Sequence, residues 1–71
     1  MKYAIVIEKA QSNYSAYVPD LPGCIATGQT LPEVELEMRI AIEFHIQGLL
    51  EDGLYVPAAT SLVEYIEMIA A

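Results

Sequence analysis

A two-layer α+β domain with the element order β-β-β-α-β is the fold class this sequence predicts. Three observations predict it. Residues 2–8 and 14–18 are rich in β-branched and aromatic side chains and flank Gln11-Ser12-Asn13, which reads as an antiparallel hairpin. Thr30-Leu31-Pro32-Glu33 is a Thr-x-x-Glu capping box with proline in the first turn, which marks a helix start. The length of 71 residues fits one domain, 1–71.

The first strand, 2–8, places Tyr3, Ile5 and Ile7 on one face and Ala4 and Val6 on the other. Both faces are apolar, so a central position in the sheet is expected. The second strand, 14–18, ends at Pro19. Pro22-Gly23 turns the chain, and a short third strand is predicted over 24–27. The helix is predicted from about 31 to 52, with Gly53 capping its C-terminus. At about 100° per residue, Val34, Met38, Ala41, Ile42, His45, Ile46 and Leu49 share a broad face that should cover the sheet. A loop broken by Pro57 follows, and 62–69 reads as a fourth strand. A right-handed crossover makes that strand parallel to the third. Placed beside the first, it gives a mostly antiparallel four-strand sheet of order 3-2-1-4 with the helix on one face.

Leu36, Ile40 and Phe44 lie on nearly the opposite side of the helix, spaced i, i+4, i+8. Two readings stand for this stripe: self-association, or cover by the 53–61 loop. Size favours association. A domain this small hides only about 60% of its unfolded surface. Cys24 is the only cysteine, so no internal disulfide can form, and one Cys with one His cannot make a zinc site. Yet 55% of the residues are hydrophobic. A homo-oligomer, dimer or tetramer, is expected.

Ten acidic residues face Lys2, Lys9 and Arg39, for a formal net charge of −7. That balance argues against direct nucleic-acid binding and against anionic membranes. A basic protein is the natural complement. Glu51 and Asp52 are candidate contacts for it, because the helix dipole disfavours acids at a C-terminus. No apolar run is long enough to span a membrane and no signal-peptide core is visible, so a cytoplasmic location is expected.

Catalytic chemistry finds little support. Cys24 and His45 are the only nucleophile–imidazole pair available, and both read more simply as buried or half-buried core residues. The acids do not announce a metal site: Glu33, Glu35 and Glu37 suit the helix N-terminus, and Glu35 can pair with Arg39. No enzyme activity, metal or cofactor is expected.

The run Tyr14-Ser15-Ala16-Tyr17-Val18-Pro19-Asp20-Leu21-Pro22-Gly23-Cys24 resembles the HicB-like antitoxin family. So do Gly28, Thr30, the segment Ala41-Ile42-Glu43-Phe44-His45-Ile46, and Glu51-Asp52-Gly53 with the proline-containing loop. The resemblance covers nearly the whole chain and implies a partial RNase H-like fold. It implies an antitoxin that self-associates and blocks a small basic RNA-cleaving toxin, HicA-like, with no nuclease activity of its own. It also marks Pro19, Asp20, Leu21, Pro22, Gly23 and Cys24 as a candidate family-motif loop. Many members carry a C-terminal DNA-binding domain; none is expected here, because Ala71 closely follows the fourth strand. Some members stand alone, so the alternative is an oligomeric module with a small-molecule or protein ligand and no toxin.

Overall fold

The computed structural model describes residues 1–70. Three strands precede one helix: β1 (Val6–Lys9), β2 (Tyr14–Tyr17), β3 (Ile25–Gly28) and α1 (Leu31–Glu51). The sheet is antiparallel throughout, with order β1-β2-β3. The hairpin, the third strand and the helix are therefore as the sequence predicts.

Register explains where the strands stop. Val6 faces Tyr17, and Tyr17 faces Ile25. Beyond Tyr17 the chain turns: the Val18 carbonyl accepts from the Leu21 amide at 3.1 Å, and Pro19 has no amide to give. Residues 2–5 thus have no ladder partner on β2, and β1 begins at Val6 rather than at Lys2.

The expected fourth strand is absent. Residues 62–69 carry no strand pairing and are exposed along their whole length. The four-strand order 3-2-1-4 is corrected to three strands, and β1 lies at an edge of the sheet, not at its centre. The physical reason is that strand propensity describes a segment, whereas a strand needs a partner edge. In this subunit 62–69 does not pair with the open edge of β1.

The helix is closed at both ends. Thr30 accepts from the Glu33 amide through its hydroxyl at 3.2 Å, and Pro32 sits in the first turn. At the other end the Leu54 amide reaches the Leu49 carbonyl at 2.9 Å and the Gly53 amide reaches that of Leu50 at 3.1 Å. This is the Schellman arrangement, and Gly53 takes the left-handed φ of 71° that it requires.

The core lies between α1 and the sheet: Ala16, Val18, Leu21, Cys24, Val34 and Met38 are buried. Tyr3, Ile5, Ile7, Ala41, Ile42 and Ile46 pack around them, which matches the predicted covering face of the helix. Gly28 makes the closest approach. A Cβ there would sit 2.6 Å from the Val34 amide nitrogen and 2.9 Å from its Cα, both backbone atoms.

The segment after the helix is pinned in two places. The Tyr3 hydroxyl donates to the Pro57 carbonyl. Asp20 then accepts four hydrogen bonds from two residues: from the Thr60 and Ser61 amides, each at 3.0 Å, and from their hydroxyls at 3.3 and 2.9 Å. These bonds, the Ser61 amide first, hold the Asp20 carboxyl below its ordinary value of 3.8.

Two predictions follow from this packing. Gly28→Ala should destabilise by about 1–3 kcal/mol, because backbone must move. Gly48→Ala, where nothing outside the helix's own backbone lies within 4 Å of the new Cβ, should stabilise by about 0.5–1 kcal/mol. Denaturant melts of the two variants check both signs. The second prediction concerns acid. A depressed folded-state pKa means that the Asp20 clamp contributes fully above 3.8 and is lost as pH falls through the lower folded value. The Thr60 and Ser61 amide resonances should therefore move together, with a midpoint below 3.8, and Asp20→Ala should abolish the transition.

Candidate functional site

The loop after β2 is built around one buried side chain. Leu21 is fully buried, and its carbonyl accepts from the Cys24 amide at 3.0 Å. The Val18 amide closes the loop on the Cys24 carbonyl at 3.2 Å. Gly23 turns with φ 83°, and Pro19, Pro22 and Gly23 stay exposed. Asp20 faces the C-terminal segment, as described above. The predicted motif loop therefore divides its tasks: Leu21 and Cys24 plug the core, Asp20 holds the 60–61 segment, and Pro22-Gly23 forms surface.

That surface borders a groove of about 460 Å³ between the loop and the C-terminal half of α1. Gly23, Cys24 and Ile25 form one wall. Ala41, Phe44, His45, Gly48, Leu49 and Asp52 form the other. Three groups singled out in the sequence thus meet in one place: part of the motif loop, one end of the apolar stripe, and the acidic helix terminus. Phe44 is 78% exposed at the rim. Glu51, which accepts from the Gln47 side chain at 3.3 Å, is exposed one residue before Asp52. No basic residue lies in the last helical turn, so these carboxylates add to the negative end of the dipole.

Leu36 and Ile40 continue the stripe away from the groove and are about half exposed. The 53–61 loop does not cover the stripe, which removes loop cover as its explanation. Cys24 is a buried free thiol, and burial pushes its pKa up. A nucleophilic cysteine needs the opposite shift. Among the described residues no three His, Cys, Asp or Glu side chains come together as a metal site would require. Among the described residues no helix is long and apolar enough to cross a membrane.

Sequence reasoning missed two features. Gly48 in mid-helix is one: it costs helix stability and leaves its space empty on the groove side. The other is a second groove of about 550 Å³ on the far side of α1, lined by Met1, Lys2, Tyr3 and Ile5 and by Glu35, Met38, Arg39, Ile42 and Glu43. A glycine inside an amphipathic helix was a visible signal for the first; nothing local in the sequence announces the second.

Relatives place this architecture. A 14.9 kDa protein of the rep-hol intergenic region of Haemophilus phage HP1 is 46% identical over 66 residues, covering 93% of this chain and 50% of its own. A UPF0150 protein of Archaeoglobus fulgidus is 39% identical over 59 residues, covering 79% of this chain and 86% of its own. A UPF0150 protein of Helicobacter pylori is 34% identical over 64 residues, with 89% of each chain covered. The chain thus spans half the length of the phage relative. Among solved structures, a chain of the HicA3 and HicB3 toxin-antitoxin complex superposes with a TM-score of 0.71 at 30% identity, over 79% of this chain and 65% of that one. The family model of the HicB-like antitoxin of bacterial toxin-antitoxin systems matches residues 3–70, and the chain belongs to that family.

Proposed function

We propose that this chain is an antitoxin that binds and neutralises a small, basic, RNA-cleaving toxin of the HicA type, and that the groove beside the motif loop receives it. One observation carries the placement. Gly48 lowers helix stability, meets nothing inside its own subunit, and opens the groove wall. A cost without an internal return fits a surface shaped for an external group. Glu51 and Asp52 at the lip supply the charge that attracts a basic partner and speeds its encounter. Family membership and the likeness to a chain of the HicA3 and HicB3 complex support the same reading.

On this reading the protein acts by occlusion. It performs no chemistry, needs no cofactor and does not engage nucleic acid directly. It works in the cytoplasm as a homo-oligomer, dimer or tetramer. A stand-alone module with a small ligand is the second reading, and the groove volume of about 460 Å³ favours it, since ligand pockets commonly run about 300–1,000 Å³.

The test is co-expression with a short basic protein encoded next to this chain. Wild type should restore growth and co-purify with that protein. Glu51→Lys with Asp52→Lys should raise Kd at least about tenfold, equivalent to about 1.4 kcal/mol, and should flatten the salt dependence. Gly48→Phe should block binding while circular dichroism stays unchanged. A complex indifferent to all three substitutions would sink the placement. A growth defect unrelieved by wild type would sink the antitoxin reading.

A further inference from the structure

We propose that the groove beside the motif loop takes an arginine side chain of the basic partner, laid in the gap that Gly48 leaves, with its guanidinium stacked on Phe44 and paired with Asp52. The proposal rests on the toxin reading for the source of that arginine. The recognition chemistry is argued from this chain alone.

Spacing builds the site. Phe44, Gly48 and Asp52 fall at i, i+4 and i+8, one row along the helix. At ~1.5 Å per residue each step is about 6 Å. The middle position carries no side chain, and nothing outside the helix's own backbone lies within 4 Å of where its Cβ would be. The row therefore reads aromatic ring, gap, carboxylate. All three residues line the groove, and Phe44 is open to solvent at its rim.

Chemistry selects the occupant. A ring face attracts a cation held within about 6 Å of its centre. The Asp52 carboxylate attracts the same cation from the far side of the gap, and the negative end of the helix dipole adds to it. No cation of the chain stands among the lining residues, and none lies in the last helical turn. Glu51 accepts from the Gln47 side chain, which leaves Asp52 as the carboxylate of the groove wall. Ile25 and Leu49 flank the gap and suit the methylenes of a long side chain.

The occupant is thus long, apolar along its stem and cationic at its tip. Lysine and arginine both meet that description, and the ring separates them. A guanidinium is flat and weakly hydrated, so it stacks on Phe44 while its fork meets both oxygens of a carboxylate. An ammonium is a compact point charge that holds its water.

The experiment first uses the chain alone. Amide spectra of the isotope-labelled protein are titrated with N-acetyl-arginine amide, N-acetyl-lysine amide and the neutral N-acetyl-norleucine amide. The arginine amide should shift Gly23, Gly48 and Asp52 saturably, with a Kd in the millimolar range that suits a single side chain. The other two should bind at least about threefold more weakly. Phe44→Leu keeps apolar bulk and removes the ring; Asp52→Asn keeps shape and removes the charge. Each should raise the arginine Kd at least about threefold with helix content unchanged, and Phe44→Trp should bind at least as tightly as wild type. Gly48→Leu should raise the melting temperature and abolish the shifts, opposite signs that a purely structural glycine would not give. Equal response to arginine and lysine would reduce the site to charge and overturn the proposal. So would norleucine binding as well as arginine, or no saturable shift. Probe affinity that rises on Arg39→Ala would assign the gap to the arginine of a second copy and overturn it too. In co-expression, a toxin complex that survives Phe44→Leu and Asp52→Asn overturns the arginine site and leaves the antitoxin reading standing. A successful arginine titration without rescue of growth sinks the toxin reading and keeps the site.

Discussion

The seat of α1 on the end of β3 is the contact on which the rest of the subunit depends. Gly28 closes the strand, and two residues later Thr30 caps the helix. The missing Cβ of Gly28 lets the Val34 backbone come within about one atom's reach of the sheet. That approach fixes the direction of α1. Val34 and Met38 then fall over Ala16 and Val18, and Leu21 fills the space beneath the loop. Every groove described above is a by-product of that orientation, because both lie where the helix flanks leave the three-strand sheet.

The core built this way is small. Six hydrophobic residues are buried, whereas sixteen large apolar side chains are exposed among the described residues. Scattered apolar surface is ordinary, but here it is organised into a helix stripe and the segment 62–69. No internal disulfide offsets the deficit, since Cys24 is a lone buried thiol. The composition and the distribution of exposed side chains thus agree that the subunit buries little of its apolar surface.

Local signals in the sequence located most elements, and non-local ones decided what was misread. The capping box, the Pro-Gly turn and Gly53 each act within a few residues, and each lies where it was expected. The covering face of the helix was legible because its period is intrinsic to the helix. The fourth strand was misread because pairing depends on an edge elsewhere, and a segment such as 62–69 advertises only its willingness to pair. The same limit shortened β1, whose first residues outrun their partner on β2. Asp20 looked like one acid among ten; its four hydrogen bonds come from residues 40 and 41 positions away, beyond any local pattern. At the candidate site, the acidic terminus and the motif loop could be named from sequence. Their meeting in one groove could not, because it follows from how α1 is seated on β3.

Charge sorts the two flanks of the helix. On the motif-loop side the groove has Asp52 on its wall and Glu51 beside it, with no cation among its lining residues. On the β1 side the groove holds Lys2 and Arg39 together with Glu35 and Glu43, so its charges balance. By sign alone, the first groove suits a basic group better than the second does. Two copies of a chain with net charge −7 repel each other at long range, so self-recognition needs a local exception to the global sign. Of the two grooves, the one that holds Lys2 and Arg39 is the less negative.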